Sequence, residues 1–166
     1  PAGLDPHLVT AFSSVIVIGD TIYEGLTTVA EDLSVQPGLA TGWDISDDGL
    51  NYTFSLASGV TFHDGSAMTA EDVAASLRRV QDEEMASPLA SRISPITGIS
   101  VIDDATIELS LDAPFAPILT SLAGIAIVPA EMETDKESLQ MTPVGTGPFM
   151  FEEWVPNSYI QLAAFS

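Results

Sequence analysis

An α+β fold, in which antiparallel hairpins pack with a few helices, is what the sequence predicts, and three stretches carry the expectation. Leu50, Tyr52, Phe54 and Leu56 alternate with Asn51, Thr53 and Ser55, a period of two that buries one face of a strand and wets the other. Ile107, Leu109 and Leu111 alternate with Thr106, Glu108 and Ser110 in the same way. Between them Val73, Leu77 and Val80 fall at i, i+4 and i+7, behind Thr69 as N-cap and the acids Glu71 and Asp72. That is the apolar stripe of a capped helix.

The 166 residues suffice for one domain, and a chain of that length buries roughly 70% of its unfolded surface. A hydrophobic fraction of 46% argues against disorder. Four Lys and Arg stand against 24 Asp and Glu, a formal charge of −20, which makes nucleic acid and anionic membranes poor partners. The charge reads as a solvated acidic shell of the kind found in salty habitats rather than as a cation site. Cysteine is absent, so disulfides and thiolate chemistry are excluded. The longest apolar run, residues 122–129, is far short of a membrane span and ends in proline. The chain opens at Pro1 with no leader sequence, as a processed or trimmed piece does.

In chain order, residues 12–26 pull two ways. Val15, Ile16, Val17 and Ile18 favour a strand, but Gly25 suits a helix stop, and a helix is the expectation. Residues 27–35 read as a short hairpin, and residues 42–46 and 50–57 as a second one, turned at Asp47-Asp48-Gly49. Val60, Thr61 and Phe62 read as a short strand before the turn His63-Asp64-Gly65. The helix from Thr69 closes past Val80, with Arg78 and Arg79 in its last turns, where a cation suits the dipole. Pro88 starts a helical turn. A third hairpin joins residues 99–101 to 106–111 through Asp103-Asp104-Ala105. Residues 114–122 look helical, 126–128 form a short strand, and 131–139 form a loop or frayed helix. A last hairpin joins 151–155 to 159–164 across Pro156-Asn157-Ser158.

Motifs for covalent chemistry are missing. There is no Gly-x-Ser-x-Gly. Gly145-Thr146-Gly147 lacks the Gly-Lys-Ser/Thr ending of a phosphate loop and precedes a strand. His7 and His63 are far apart and sit in no metal-spaced cluster. His63 reads as a local hydrogen-bonding device of its turn. The acidic turns are too short for an EF-hand loop. Trp43 and Trp154 read as packing, and Arg92 as half of a surface ion pair, with an acidic ligand group as the alternative partner. No cofactor and no metal are expected. Paired carboxylates of an acidic hydrolase remain the alternative function, because 24 acids offer many pairs.

One ordered set of residues carries a resemblance. Pro37, Leu39-Ala40, Trp43, Asp48-Gly49, Tyr52-Thr53-Phe54, Val60, Phe62, Asp64-Gly65, Thr69-Ala70-Glu71-Asp72-Val73 and Ser76-Leu77 follow one another, and Gly145-Thr146-Gly147-Pro148-Phe149 comes later. This resembles the signature of the family 5 extracytoplasmic solute-binding proteins, the dipeptide-, oligopeptide- and nickel-binding receptors of ABC importers. Leu4-Asp5-Pro6-His7 resembles the family's entry motif.

The resemblance implies a partial lobe one of a type II periplasmic-binding-protein-like fold. Residues 1–166 would be the amino-terminal part of that lobe, with an inserted subdomain at about 27–144 and the second lobe absent. It implies a receptor, not an enzyme, that captures a peptide or similar small solute. The receptor would be periplasmic or extracytoplasmic, monomeric, and peripheral to the membrane through its ABC permease. Thr10, Ala11 and Phe12 map to the segment that runs along the ligand backbone in peptide-binding relatives. Leu89 maps to a position that is often a ligand-touching tyrosine, a departure from the standard peptide pose. Gly145, Thr146 and Gly147 map near the interlobe cleft. The family's charged ligand anchors come mostly from the second lobe.

A charge of −20 repels itself at close range, and salt screens that repulsion within about 10 Å at 0.1 M. The melting temperature is therefore expected to rise between low salt and molar sodium chloride. A flat or falling curve in a thermal melt series removes the reading of a salt-adapted surface.

Overall fold

The computed structural model describes residues 3–19 and 21–166, except for the side chains of Phe12 and Ile16. Its centre is a four-stranded antiparallel sheet of β3 (Ala40–Ile45), β4 (Asn51–Leu56), β5 (Ile96–Asp103) and β6 (Thr106–Leu111), in the order β3-β4-β6-β5. Tyr52 pairs with Leu109 and Phe54 with Ile107 across the two middle strands. The alternation read from the sequence thus places all four side chains in the core. Tyr52 stacks on Phe54 at 6.4 Å between ring centroids, and Trp43 tilts against Phe54 at 6.0 Å. The packing role expected of Trp43 is what the structure shows.

Helix α2 (Ala70–Gln81) covers the sheet, with Val73, Leu77 and Val80 in one buried cluster with Phe54, Ile107 and Leu109. Its start is a capping box: the Thr69 N–H donates to the Asp72 carboxylate at 2.7 Å, and the Asp72 amide caps back on the Thr69 side chain. Asp72 and Ser76 also reach outward. The Ala130 amide donates to Asp72 at 2.8 Å, and the Val128 amide donates to the Ser76 hydroxyl at 2.9 Å.

A second cluster joins Leu4, Ile18, Ile22, Tyr23, Val128 and Leu139. The hairpin of β7 (Phe149–Val155) and β8 (Tyr159–Ala164) leans on it through Phe151, Trp154, Ile160 and Leu162. The small hairpin of β1 (Thr27–Val29) and β2 (Val35–Pro37) stands beside the sheet.

Four expectations change. The helix expected over 12–26 is only α1 (Phe12–Ile18). Beyond it the backbone of 21–26 accepts hydrogen bonds from other segments: Phe149 N–H to Thr21, Gly147 N–H to Ile22, Ile127 N–H to Glu24, Leu39 N–H to Gly25 and Gly38 N–H to Leu26. A helix would have used those carbonyls internally. Gly25 is therefore part of a strand-like crossing and not a helix stop. Residues 60–62 form a single bridge, Thr61 to Ala67, because Phe62 and Met68 close their own loop through the Ser66 and Val60 carbonyls. Residues 126–128 have no ladder, since their groups go singly to Glu24, Ser76 and His7. The helix expected from 114 starts later, as α3 (Ile118–Ala123), because Pro117 disfavours helical backbone at Ala116 before it. Residues 131–139 resolve into a 3-10 turn, Ala130–Met132, and the start of α4 (Ser138–Met141).

The β3–β4 turn supplies a test. Gly49 has φ +71°, a conformation that side chains resist. Asp48 is exposed and accepts from the Ser46 hydroxyl and the Leu50 amide. Gly49→Val is expected to cost about 1–3 kcal/mol through backbone strain. Asp48→Ala is expected to cost no more than about 1 kcal/mol. Urea unfolding midpoints of the two variants check this, and equal small losses contradict the turn geometry.

Candidate functional site

A cavity of about 430 Å³ opens where five segments meet. Pro6, Val9 and Thr10 form one wall, and Val15, Ile18 and Gly19 a second. Tyr23, Glu24 and Gly25 cross behind them. Pro88, Leu89 and Arg92 face Ala123, Gly124 and Ala126. The lining is mostly apolar with a few polar groups, the composition of a small-molecule site.

These walls are tied together from below by a buried network. Arg79 and Asp5 are both fully buried and form a bidentate ion pair, 2.5 Å from Nη2 to Oδ2 and 3.0 Å from Nη1 to Oδ1. Arg79 Nη1 also donates to His7 Nδ1 at 2.9 Å, so His7 carries its proton on Nε2 and donates to the Ala126 carbonyl at 2.8 Å. Nε and Nη2 donate to the Met132 and Asp135 carbonyls. The Ser87 hydroxyl donates to the His7 carbonyl at 2.5 Å and accepts from the Leu89 amide. One network therefore sets the 5–7 segment, the 87–89 turn and residue 126 relative to one another.

Burial, and secondarily the Arg79 charge, pushes His7 down to about 4, against the opposing hydrogen bond to Ala126 and the Asp5 charge. Tyr23 is pushed up by burial first and by the Asp5 charge second. Its hydroxyl has no hydrogen-bond partner of good geometry among the described residues.

Behind the Glu24 wall, the Thr146 hydroxyl donates to Glu24 Oε2 at 2.8 Å. Gly145 and Gly147 lie so close to the 21–22 backbone that a Cβ would stand 2.1 Å from the Ile22 carbonyl oxygen or 2.3 Å from that of Thr21. His63 clamps this return segment: its Nε2–H donates to the Gly147 carbonyl at 2.9 Å, and Nδ1 accepts from the Gly145 amide. The role expected for His63, local to its own turn, is corrected to a long-range one.

The expected site residues divide. Thr10 and Leu89 line the cavity. Ala11 is the N-cap of α1, next to Thr10. The side chain of Phe12 lies outside the described residues. Thr146 bears on the cavity through Glu24, while Gly145 and Gly147 serve the crossing beside it. Arg92 has no ion pair among the described residues, which corrects the surface pairing expected of it. Asp5 and His7 stand in the motif Leu4-Asp5-Pro6-His7, but no local pattern links them to Arg79, or Glu24 to Thr146. Their partners lie up to 122 residues away. Among the described residues the cavity is lined by one carboxylate, Glu24, so a hydrolytic pair has no second acid there. No group of three metal-ligating side chains occurs among them, and no helix is long and apolar enough to cross a membrane.

Residues 34–166 match the family model described as bacterial extracellular solute-binding proteins, family 5 Middle. The chain belongs to that family, and its fold is part of a periplasmic-binding-protein lobe. Among curated relatives it is 32% identical over 152 residues to the glutathione-binding protein GsiB of Pectobacterium atrosepticum, covering 90% of this chain and 30% of that protein. Among solved structures it resembles AgaA of A.tumefacien R10 in complex with agropinic acid, at 32% identity and a TM-score of 0.92, over 99% of this chain and 34% of that one. DppA of Helicobacter pylori in complex with the peptide STSA gives 34% and 0.86, over 98% of this chain and 37% of that one. The chain thus spans about 30% of the length of the curated relatives it matches.

The His7 shift sets a pH dependence. Unfolded, the imidazole takes a proton near its ordinary 6.5; folded, it resists until about 4. In that window the unfolded chain binds more protons, so stability falls as pH drops from 6.5 towards 4, by about 3 kcal/mol in all. Above 6.5 this contribution is fully present. Urea unfolding between pH 7 and 5, above most carboxylate titration, is expected to show the fall in the wild type and a flatter curve in His7→Gln. Parallel curves contradict the assignment.

Proposed function

We propose that this chain is the first-lobe part of an extracytoplasmic receptor that captures a small solute, a peptide or a similar amino-acid derivative, and delivers it to an ABC permease. The observation that carries the reading is the cavity between the Pro6–Thr10 segment and the Pro88–Arg92 turn, in a chain of this family. Relatives named for binding glutathione, agropinic acid and a peptide support a solute of that size and chemistry.

Residues 1–166 are read as the amino-terminal part of lobe one, with residues of about 27–144 as its inserted subdomain. Thr10 and Leu89 touch the solute directly, Ala11 and Phe12 belong to the segment that runs along its backbone, and Gly145, Thr146 and Gly147 lie near the cleft between the lobes. Binding closes a second lobe over the solute by a hinge motion, and no bond is made or broken. The receptor acts outside the cytoplasm, as a monomer, and meets the membrane through the permease.

A solute held between two lobes has only part of its surface covered by one of them. Losing about 3 kcal/mol of contact weakens binding more than about a hundredfold. Isothermal titration of the full-length gene product and of this 166-residue chain, with the solute that co-purifies, is expected to show that difference. Equal affinities place the whole site in this chain, and no solute binding by the full-length product overturns the receptor reading.

A further inference from the structure

We propose that Arg92 is an anion anchor, so that the captured solute carries a carboxylate seated at the Pro88–Arg92 wall of the cavity. The inference rests on the receptor reading and adds the chemical class of the solute.

The first observation is one of charge accounting. The chain has four Lys and Arg among 24 Asp and Glu. In such a surplus of acid a cation without a partner stands out. Three of the four are engaged: Arg78 with Glu71 and Glu133, Arg79 with Asp5, and Lys136 with the Glu84 carbonyl. The Arg92 guanidinium has neither an ion pair nor a hydrogen bond among the described residues, and it lines the cavity.

Second, the guanidinium has a cleared position. It lies over Gly124, where a Cβ would stand 3.0 Å from Nη1. Its backbone sits in the 3-10 turn Ala90–Arg92, whose last amide donates to the Leu89 carbonyl at 2.9 Å. That turn follows Ser87, which is fixed to the His7 carbonyl. The backbone of Arg92 is thus anchored while the planar fork has no partner among the described residues, the arrangement that suits bidentate capture of a carboxylate.

Third, the cavity is bipolar. Glu24 lies on another wall, with one carboxylate oxygen held by Thr146 and the other without a hydrogen bond among the described residues. A carboxylate is repelled at Glu24 and attracted at Arg92, so a solute bearing both an acid and an amine has one favoured orientation. The acidic shell of the rest of the molecule repels anions at long range. Salt screens that field beyond about 10 Å, and the contact with Arg92 decides the outcome.

The test uses the full-length gene product, wild type and Arg92→Gln, with Arg92→Lys as a conservative variant. Probes for isothermal titration are glutathione, agropinic acid and trialanine as free acids, with glutathione diethyl ester and trialaninamide as counterparts that keep the amine and lack a carboxylate. At least one acid is expected to bind the wild type, and its carboxylate-blocked counterpart, where tested, to bind about ten- to a hundredfold more weakly. Arg92→Gln is expected to weaken the acid by a similar factor and to leave the carboxylate-blocked form nearly unchanged, with Arg92→Lys in between. Because Arg92 is exposed, the variants are expected to melt like the wild type. Tight binding of an acid by Arg92→Gln, or equal binding of acid and carboxylate-blocked forms by the wild type, overturns the anchor and leaves the receptor reading intact. Binding of none of the probes by the wild type overturns the anchor, and the co-purified solute then tests the receptor reading alone.

Discussion

A guanidinium removed from water needs every one of its donors satisfied, and Arg79 meets that demand at a point where three stretches of chain come together. Its N–H groups reach both Asp5 oxygens, His7 Nδ1 and the Met132 and Asp135 carbonyls. Fully satisfied, such a network fixes geometry as well as charge. Half satisfied, it leaves a buried charge worth about 3–5 kcal/mol of lost stability. The cavity wall at Pro6–Thr10, the Ser87–Leu89 turn and the Ala126 edge all take their positions from it. A solvated ion pair would leave those three free to drift.

What was legible in the sequence was local. The period of two in β4 and β6, the turn glycine at 49 and the capping pair Thr69 and Asp72 act between near neighbours, and each formed where its pattern predicted. The segment after α1 was not legible, because Val15 to Ile18 satisfy both a helix and a strand. The choice was made by amides at 38–39, 127 and 147–149 that claim the 21–26 carbonyls. Arg79 looked like a cation at a helix end because Asp5, its partner, is 74 residues away.

The candidate site was half legible for the same reason. Thr10 and Leu89 could be mapped by resemblance, and both line the cavity. Glu24 and Arg92 could not be weighted as they now are, because their meaning comes from what they face. A carboxylate among 24 acids is unremarkable in sequence. On the wall of a cavity that also holds a guanidinium with no partner among the described residues, it gives the space a direction.

The crossing at residues 21–26 also bears on how such a molecule diversifies. The chain leaves this strand-like stretch at Leu26 and returns to lie against it at 145–149, so the excursion between begins and ends in the same place. Lengthening a loop whose ends are already fixed costs little, about 0.6 kcal/mol per doubling. Mutation is therefore free to lengthen the exposed turns of the excursion, such as those at 47–48 and 103–105, while residues 38–39, 79, 87 and 126–127 keep it tied to the junction. Descendants of one scaffold can vary their outer turns while inheriting how they fold.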